Sequence, residues 1–427
     1  MKDLVYDLAI VGGGAAGLMA SAWISEKFKA SDSRPSVVLL EKMPRCGRKI
    51  NITGKGRCNL TNTRMWDEFS VHVHPNCQFF KNAFYNFSSH DTMDFFTSIG
   101  LELSVERGQR VYPRSMRAMD VTDALVNHVR RCSVVETITG FEVSGISKDD
   151  LFCIQSEQGR VLSKKLLITT GGLSYPSTGS SGDGYSFAQK LGHSIVQCRP
   201  SLTALIPALY KEKDGTLLPL GRSLNGLQLK NVSLSLEVNS NVVQEEFGDV
   251  DFTDGGIEGS LGFRLSRKAV ESLDNGQKVA LLLDLKPALS EEQIGQRIKR
   301  EASCGNNSVK YLLSKLLPRQ LVAPFLSMNR QLLDMQNGEA ARLLPALLKR
   351  LRFEIVSYVG FERCVVTNGG VSTKEVSQKT MESKLVDGLF FAGEVLDLDG
   401  DTGGYNLQIA FSTAVLAAKS AMSEALR

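Results

Sequence analysis

The first forty residues constrain this chain more than any other stretch. Tyr6-Asp7-Leu8-Ala9-Ile10-Val11 has the length and apolar character of a buried parallel strand. It leads without a linker into Gly12-Gly13-Gly14-Ala15-Ala16-Gly17. A helical pattern follows from Ala16 to about Lys29, then a second apolar run at 36–40 that ends in Glu41. Strand, glycine turn, helix, strand and terminal acid in this order form a βαβ unit suited to a dinucleotide. Gly12 permits the tight turn, Gly14 lets backbone approach a diphosphate, and Gly17 lets the helix pack closely on the strand. The peptide N–H groups at Ala15 and Ala16 open the helix toward the phosphates. A carboxylate at Glu41 accepts ribose hydroxyls and repels a 2′-phosphate, so an ADP-like moiety is expected and an NADP-like one is not.

This unit alone does not separate FAD from NAD, since both carry adenosine diphosphate. The far end of the chain favours FAD. Asp387-Gly388-Leu389-Phe390-Phe391-Ala392-Gly393-Glu394 is a short strand with a small-residue end, followed by Asp397, Asp399 and Asp401. Gly403-Gly404-Tyr405-Asn406-Leu407 then opens a long Ala-rich helix. The strand end lets backbone approach a ligand, and the acids, Asp397 among them, are expected to receive ribityl hydroxyls. Free N–H groups at the helix start favour negative charge by about 0.3–2 kcal/mol, which suits the anionic edge of a reduced flavin.

Bulk properties bound the remaining options. At 427 residues, two or three domains are expected, and 42% hydrophobic with 22% charged residues is an ordinary globular mix. A net charge of +4 without an obvious basic block argues against a nucleic-acid partner. The longest apolar runs fall far short of the roughly 18 residues of a membrane span, so no membrane partner is expected. Eight cysteines without CxxC or metal-like spacing, and a strand too near the start to leave room for a signal peptide, point to the cytoplasm.

Several longer stretches resemble one family. Leu40–Asn62 (LEKMPRCGRKINITGKGRCNLTN), VYPRSMRAM from Val111, TTGGLSYPSTGSSGDGYSFAQKLGH from Thr169, GGVSTKEVSQKTMESK from Gly369, and the GEVLDLDGDTGGYNLQIA segment occur in one order over essentially the whole chain. Together they resemble the bacterial BaiN/YhiN-like flavoproteins, also described as aminoacetone-oxidase-like FAD-dependent enzymes. The resemblance implies bound FAD and a Rossmann-type α/β domain split by an inserted middle region. Two departures stand out. Lys55 occupies a position that is glycine in the family's Ser-Gly-Gly-Gly, and Thr253-Asp254-Gly255-Gly256-Ile257-Glu258-Gly259-Ser260 lacks the family's Ser-Gly-Pro.

The expected organisation is a split Rossmann-type FAD-binding domain at 1–193 and 355–427. Inserted in it are a β-rich subdomain at 194–287 with 352–370, and a helical subdomain at 288–351. Within the first domain the pattern predicts a helix at 120–131 and strands at 133–139, 141–148, 151–156 and 161–169. Val143 is expected to touch adenine through its backbone, and Thr170-Gly171-Gly172 ends a strand beside the cofactor. The loop after the second strand carries Lys42, Arg48, Lys49 and Arg57 opposite two phosphates, with Cys58 and Asn59 placed to line the flavin.

The flavin would carry the electron chemistry, with protein groups positioning it. Tyr175, Cys58 and Tyr405 are the catalytic candidates, although each also reads as a structural residue. His193 reads as a cap or packing residue. His72 and His74 have no acidic or cysteine neighbour in sequence, so no metal site is expected. A single dinucleotide fingerprint means that NAD(P)H, if it is the reductant, visits transiently. The reading is an FAD-dependent oxidoreductase that passes hydride between flavin N5 and a small organic substrate, with NAD(P)H or oxygen as co-substrate. Flavin-dependent RNA modification and a non-catalytic flavin-binding module are the alternatives.

Overall fold

The computed structural model describes residues 5–32, 34–303, 308–335 and 337–426. The chain divides into two compact units, residues 1–199 with 365–427, and residues 200–364.

The first unit is built on a seven-stranded sheet. Val5–Val11 lies between Val37–Glu41 and Gly159–Ile168, with Val135–Thr139 outside the former and Leu389–Phe391 outside the latter, all parallel. Strands buried on both faces are expected to be continuously apolar, and Leu8–Val11 and Val37–Leu40 are buried throughout. Phe152–Ser156 and Val143–Lys148 extend the sheet as an antiparallel meander from Gly159–Ile168. The helix Ala15–Phe28 packs against the C-terminal helix Tyr405–Ala421. Ala16, Ala20 and Ala22 on one helix and Ala410, Ala414 and Ala417 on the other are all buried. Small side chains keep both helices inside the core, so neither needs a polar face. The fold is the Rossmann-type α/β arrangement the sequence predicts.

The second unit is a closed barrel of Leu205–Pro207, Gly256–Glu258, Asn241–Thr253, Gln228–Val238, Val279–Asp284 and Leu351–Tyr358. Five helices between Glu291 and Lys349 share one hydrophobic core with it, Leu281 and Phe353 packing in the same cluster as Leu313, Phe325 and Leu344. Barrel and helices therefore form a single unit, where two subdomains were expected. Residues 355–364, expected in both the first domain and the β-rich subdomain, complete and follow the last barrel strand, and 194–199 belong to the first unit. The stretch 194–287, expected to be β-rich, contains the 16-residue helix Gly259–Asp274. Its glycine-rich beginning conceals a buried stripe at Leu261, Leu265, Ala269 and Val270, spaced for one helical face.

Candidate functional site

The glycine turn has the geometry its spacing demands. Gly12 sits at φ +108°, and a Cβ there would lie 2.6 Å from the Thr169 carbonyl oxygen. A Cβ on Gly17 would come within 1.9 Å of the Gly12 carbonyl oxygen, so only glycine lets the helix approach the turn this closely. A Cβ on Gly14 would meet nothing within 4 Å. The space over Gly14 opens into a cavity, and the helix starting at Ala15 has no side-chain cap on its first N–H groups. Glu41 is buried beside the turn, accepting the Gly13 N–H at 2.6 Å and the Met43 N–H at 2.7 Å.

The cavity is walled by the glycine turn, the loop after the second strand and the start of the C-terminal helix, the surfaces an extended dinucleotide needs. Of the residues expected to hold the cofactor, Gly12, Gly14, Ala15, Ala16, Glu41, Lys42, Arg48, Lys49, Val143, Thr170, Gly171, Gly393, Glu394, Asn406 and Leu407 line it. Both ends of the chain thus meet on one cavity. The C-terminal helix begins at Tyr405 behind Gly404, at φ +96°, again without a side-chain cap.

On the cavity wall, Lys49 Nζ lies 2.9 Å from Glu394 Oε2 and donates to Ser174 Oγ at 2.9 Å. The other Glu394 oxygen accepts from Ser174 Oγ at 2.5 Å and from the Thr367 N–H at 2.9 Å. Burial pushes the Glu394 carboxyl up, but the Lys49 ammonium and these hydrogen bonds outweigh it and hold the group below the usual carboxylate range. Lys42 is likewise paired, with Asp183 at 2.6 Å. The Thr170 hydroxyl is buried and has no partner among the described residues. An unmet hydroxyl, open space over Gly14, two uncapped helix starts and a cationic loop are what a phosphate-bearing dinucleotide needs, so the residues fit FAD.

Other expected residues lie elsewhere. Gly17 is beneath the turn, and Gly172 leaves room for Thr367, whose Oγ1 would be 2.5 Å from a Cβ there. Arg57 is exposed, with its guanidinium over the Tyr112 ring at 5.3 Å. Asn59 Oδ1 is buried near Gly404 without a partner among the described residues, while Gly403 and Gly404 shape the turn outside the cavity lining. Asp397 is also outside the lining, and its N–H bonds the Val371 carbonyl. Neither Tyr175, at φ +51° before the short turn Pro176–Thr178, nor Tyr405 reaches the cavity. Tyr405 is buried, its hydroxyl held by Arg64 and its ring stacked on His72 at 4.4 Å. Cys58 is buried, and burial pushes its thiol up to about 12, against reactivity at neutral pH.

The histidines need correction. Asp401 Oδ2 is 2.8 Å from His72 Nδ1 and its Oδ1 is 3.3 Å from His74 Nε2, so both have the acidic partner that sequence spacing hides. His193 is buried at 2.8 Å from Ser383 Oγ and edge-on to Phe391, as a packing residue. Sequence reasoning missed Phe141, Phe187, Ile50 and Thr53, which line the cavity. Ile50 follows Lys49 directly and Thr53 comes four residues on, and their place in the basic loop is the one available signal for them.

A model of the HI0933-like protein Rossmann domain matches residues 6–420. The chain belongs to this family. Membership bears out the resemblance to the BaiN/YhiN-like flavoproteins, and with it the chain is a flavin-dependent oxidoreductase with a Rossmann-type FAD-binding fold. It is 30% identical to a 3-dehydro-bile acid delta(4,6)-reductase of Clostridium scindens, over 97% of this chain and 98% of that protein. It is 31% identical to a ribosomal RNA dihydrouridine synthase of Escherichia coli K12, over 97% and 99% respectively. Among solved structures, an Escherichia coli quinol fumarate reductase chain (FrdA) shares the fold with a TM-score of 0.51. That match has 15% identity over all of this chain and 71% of that one. No helix among the described residues is long and apolar enough to cross a membrane.

Proposed function

We propose that the chain holds FAD along this cavity and reduces a carbon–carbon double bond conjugated to a carbonyl, with NAD(P)H as the electron source. The carrying observation is that the N-terminal turn and the start of the C-terminal helix line one cavity, with the Lys49–Glu394 pair on its wall. Bound FAD would supply the hydride. The glycine turn and the uncapped N–H groups of Ala15 and Ala16 would take the diphosphate, with Arg48 adding charge. Glu41 keeps lone pairs for ribose hydroxyls beyond the two it commits to Gly13 and Met43. The N–H groups of Asn406 and Leu407 would favour negative charge on a reduced ring.

The relatives support the choice of acceptor. A 3-dehydro, delta(4,6) substrate places its double bonds in conjugation with a ketone, and dihydrouridine is uridine with its ring double bond, conjugated to a carbonyl, saturated. Both need a hydride at the carbon remote from the carbonyl and a proton beside it. The acceptor here is a small enone or, as the second reading that the dihydrouridine synthases favour, a uracil in RNA. The test is anaerobic reduction by NADH or NADPH, followed by addition of a cyclic enone or uridine-rich RNA. Reoxidation of the flavin by either supports the proposal. Bleaching by amines alone, with peroxide formed in air, would replace it with an oxidase.

A further inference from the structure

The chain's mild net charge conceals a strong local one. Residues 42–66 contain seven lysines and arginines and no acid, and residues 107–119 contain four arginines and no acid. These two stretches hold eleven of the 50 cations and none of the 46 acids, so the remainder of the chain is net acidic. The fold brings them together. Thr61–Asn62 pairs antiparallel with Arg110–Pro113, the Leu60 N–H bonds the Val111 carbonyl at 2.9 Å, and Arg57 lies over Tyr112.

The cofactor's phosphates do not account for this charge. Lys42, Arg45, Arg48 and Lys49 line the cavity, but Lys55, Arg57, Arg107, Arg110, Arg114 and Arg117 do not. Glu102 takes Arg114 at 3.1 Å and Asp120 approaches Arg117 at 3.9 Å, while Glu106 faces Arg110 across the hairpin. Among the described residues, Arg57, Arg107 and Arg110 have no carboxylate within ion-pair distance. Arg57 and Arg107 are exposed.

This surface is also the rim of the site. Ile50 and Thr53 face the cavity, while Lys55 and Arg57, two to four residues on, face solvent. Asn62 Nδ2 bonds the Gly108 carbonyl at the hairpin turn and the Gly403 carbonyl before the C-terminal helix, each at 3.1 Å. A polyanion on the hairpin would therefore run past the mouth where Asn406 and Leu407 begin. We infer that this basic rim docks single-stranded RNA by its phosphates and so presents a uracil to the cavity. Arginine suits the task, since its planar fork pairs with phosphate and its face stacks on rings, as Arg57 already does on Tyr112. The inference rests on the reductase reading and narrows its acceptor.

The test uses the FAD-loaded full chain and a short, fluorophore-labelled, uridine-rich single-stranded RNA. Binding should weaken steeply with salt. The triple variant Lys55→Glu/Arg107→Glu/Arg117→Glu should weaken it at least about tenfold and reduce the log–log salt slope by roughly 2, at about 0.7 per lost phosphate contact. Flavin reoxidation by a small cyclic enone should stay the same in the variant, which checks its fold. The inference is overturned if the wild-type chain does not bind the RNA, if the variant binds it equally, or if phosphatidylglycerol vesicles bind and RNA does not. If neither enone nor RNA reoxidises the flavin, the reductase reading itself fails, whatever the binding shows.

Discussion

Lys49 and Glu394 are 345 residues apart in the chain and 2.9 Å apart in the fold, joined on the wall of the cavity. Each is the other's charge partner, and both side chains are mostly withdrawn from solvent. Removing one therefore leaves the other uncompensated, while removing both does not. Glu394→Gln or Lys49→Met should each cost about 1–3 kcal/mol of unfolding free energy, below the roughly 3–5 kcal/mol of a fully buried pair because both side chains stay partly exposed. The double variant should lose clearly less than their sum. A denaturant double-mutant cycle reads this directly, and additive losses would show that the pair is not coupled.

Gly14 and Gly17 should respond in opposite ways to the same added methyl group. Alanine at Gly14 meets no neighbour and suits its φ of −78°, so stability should hold or rise by up to about 1 kcal/mol. The methyl nonetheless occupies the proposed diphosphate cradle, so copurified flavin should fall. Alanine at Gly17 forces a 1.9 Å contact and should destabilise by about 1–3 kcal/mol or more. Flavin absorbance per chain and melting temperature separate the two effects.

Asp401 sets an acid limit on stability. Burial raises its pKa, but hydrogen bonds from His72 and His74 and their charge outweigh it and bring the group to about 2, from an ordinary 3.8. A depressed folded pKa means the contribution is complete above about pH 4 and is lost as pH falls toward 2. At 1.36 kcal/mol per unit the loss is about 2 kcal/mol. Urea midpoints of the wild type should fall through that window, and those of Asp401→Asn should fall less. Parallel curves would exclude the histidine clamp as the cause.

Cys58 gives a negative prediction. With its thiol pushed up to about 12 by burial, it should resist iodoacetamide in the folded protein at neutral pH. Cys58→Ala should keep its flavin and its rate of reduction by NAD(P)H within about threefold, whereas loss of reduction would restore a redox role.

The parts of this fold that could be read in advance are those whose physics is local. The strand at Tyr6, the turn at Gly12–Gly17 and the acid at Glu41 lie within one supersecondary unit, so spacing alone orders them. The Lys49–Glu394 pair and the Asp401 clamp on His72 and His74 depend on segments that only tertiary packing joins. Tyr405 was placed at the flavin because it adjoins Asn406 at the helix start, and Asp397 because it is an acid just past the strand end. Yet at a helix start adjacent residues point in different directions, and Tyr405 turns into the Phe69 and His72 cluster. The basic surface escaped notice for a related reason. Arg57 and Arg107 are fifty residues apart, and the segments that carry them meet only through the pairing of Thr61 with Val111.

Glu41 has a consequence for how the protein acquires its flavin. Because its two oxygens fasten Gly13 within the glycine turn and Met43 in the loop after the second strand, the chain supplies the restraint that a nucleotide would otherwise have to impose. Loading is then a docking event at a socket already shaped by an internal staple, with little ordering entropy lost on arrival. Stripping the flavin should leave this corner of the protein standing, and adding it back should restore the holoprotein without a refolding step.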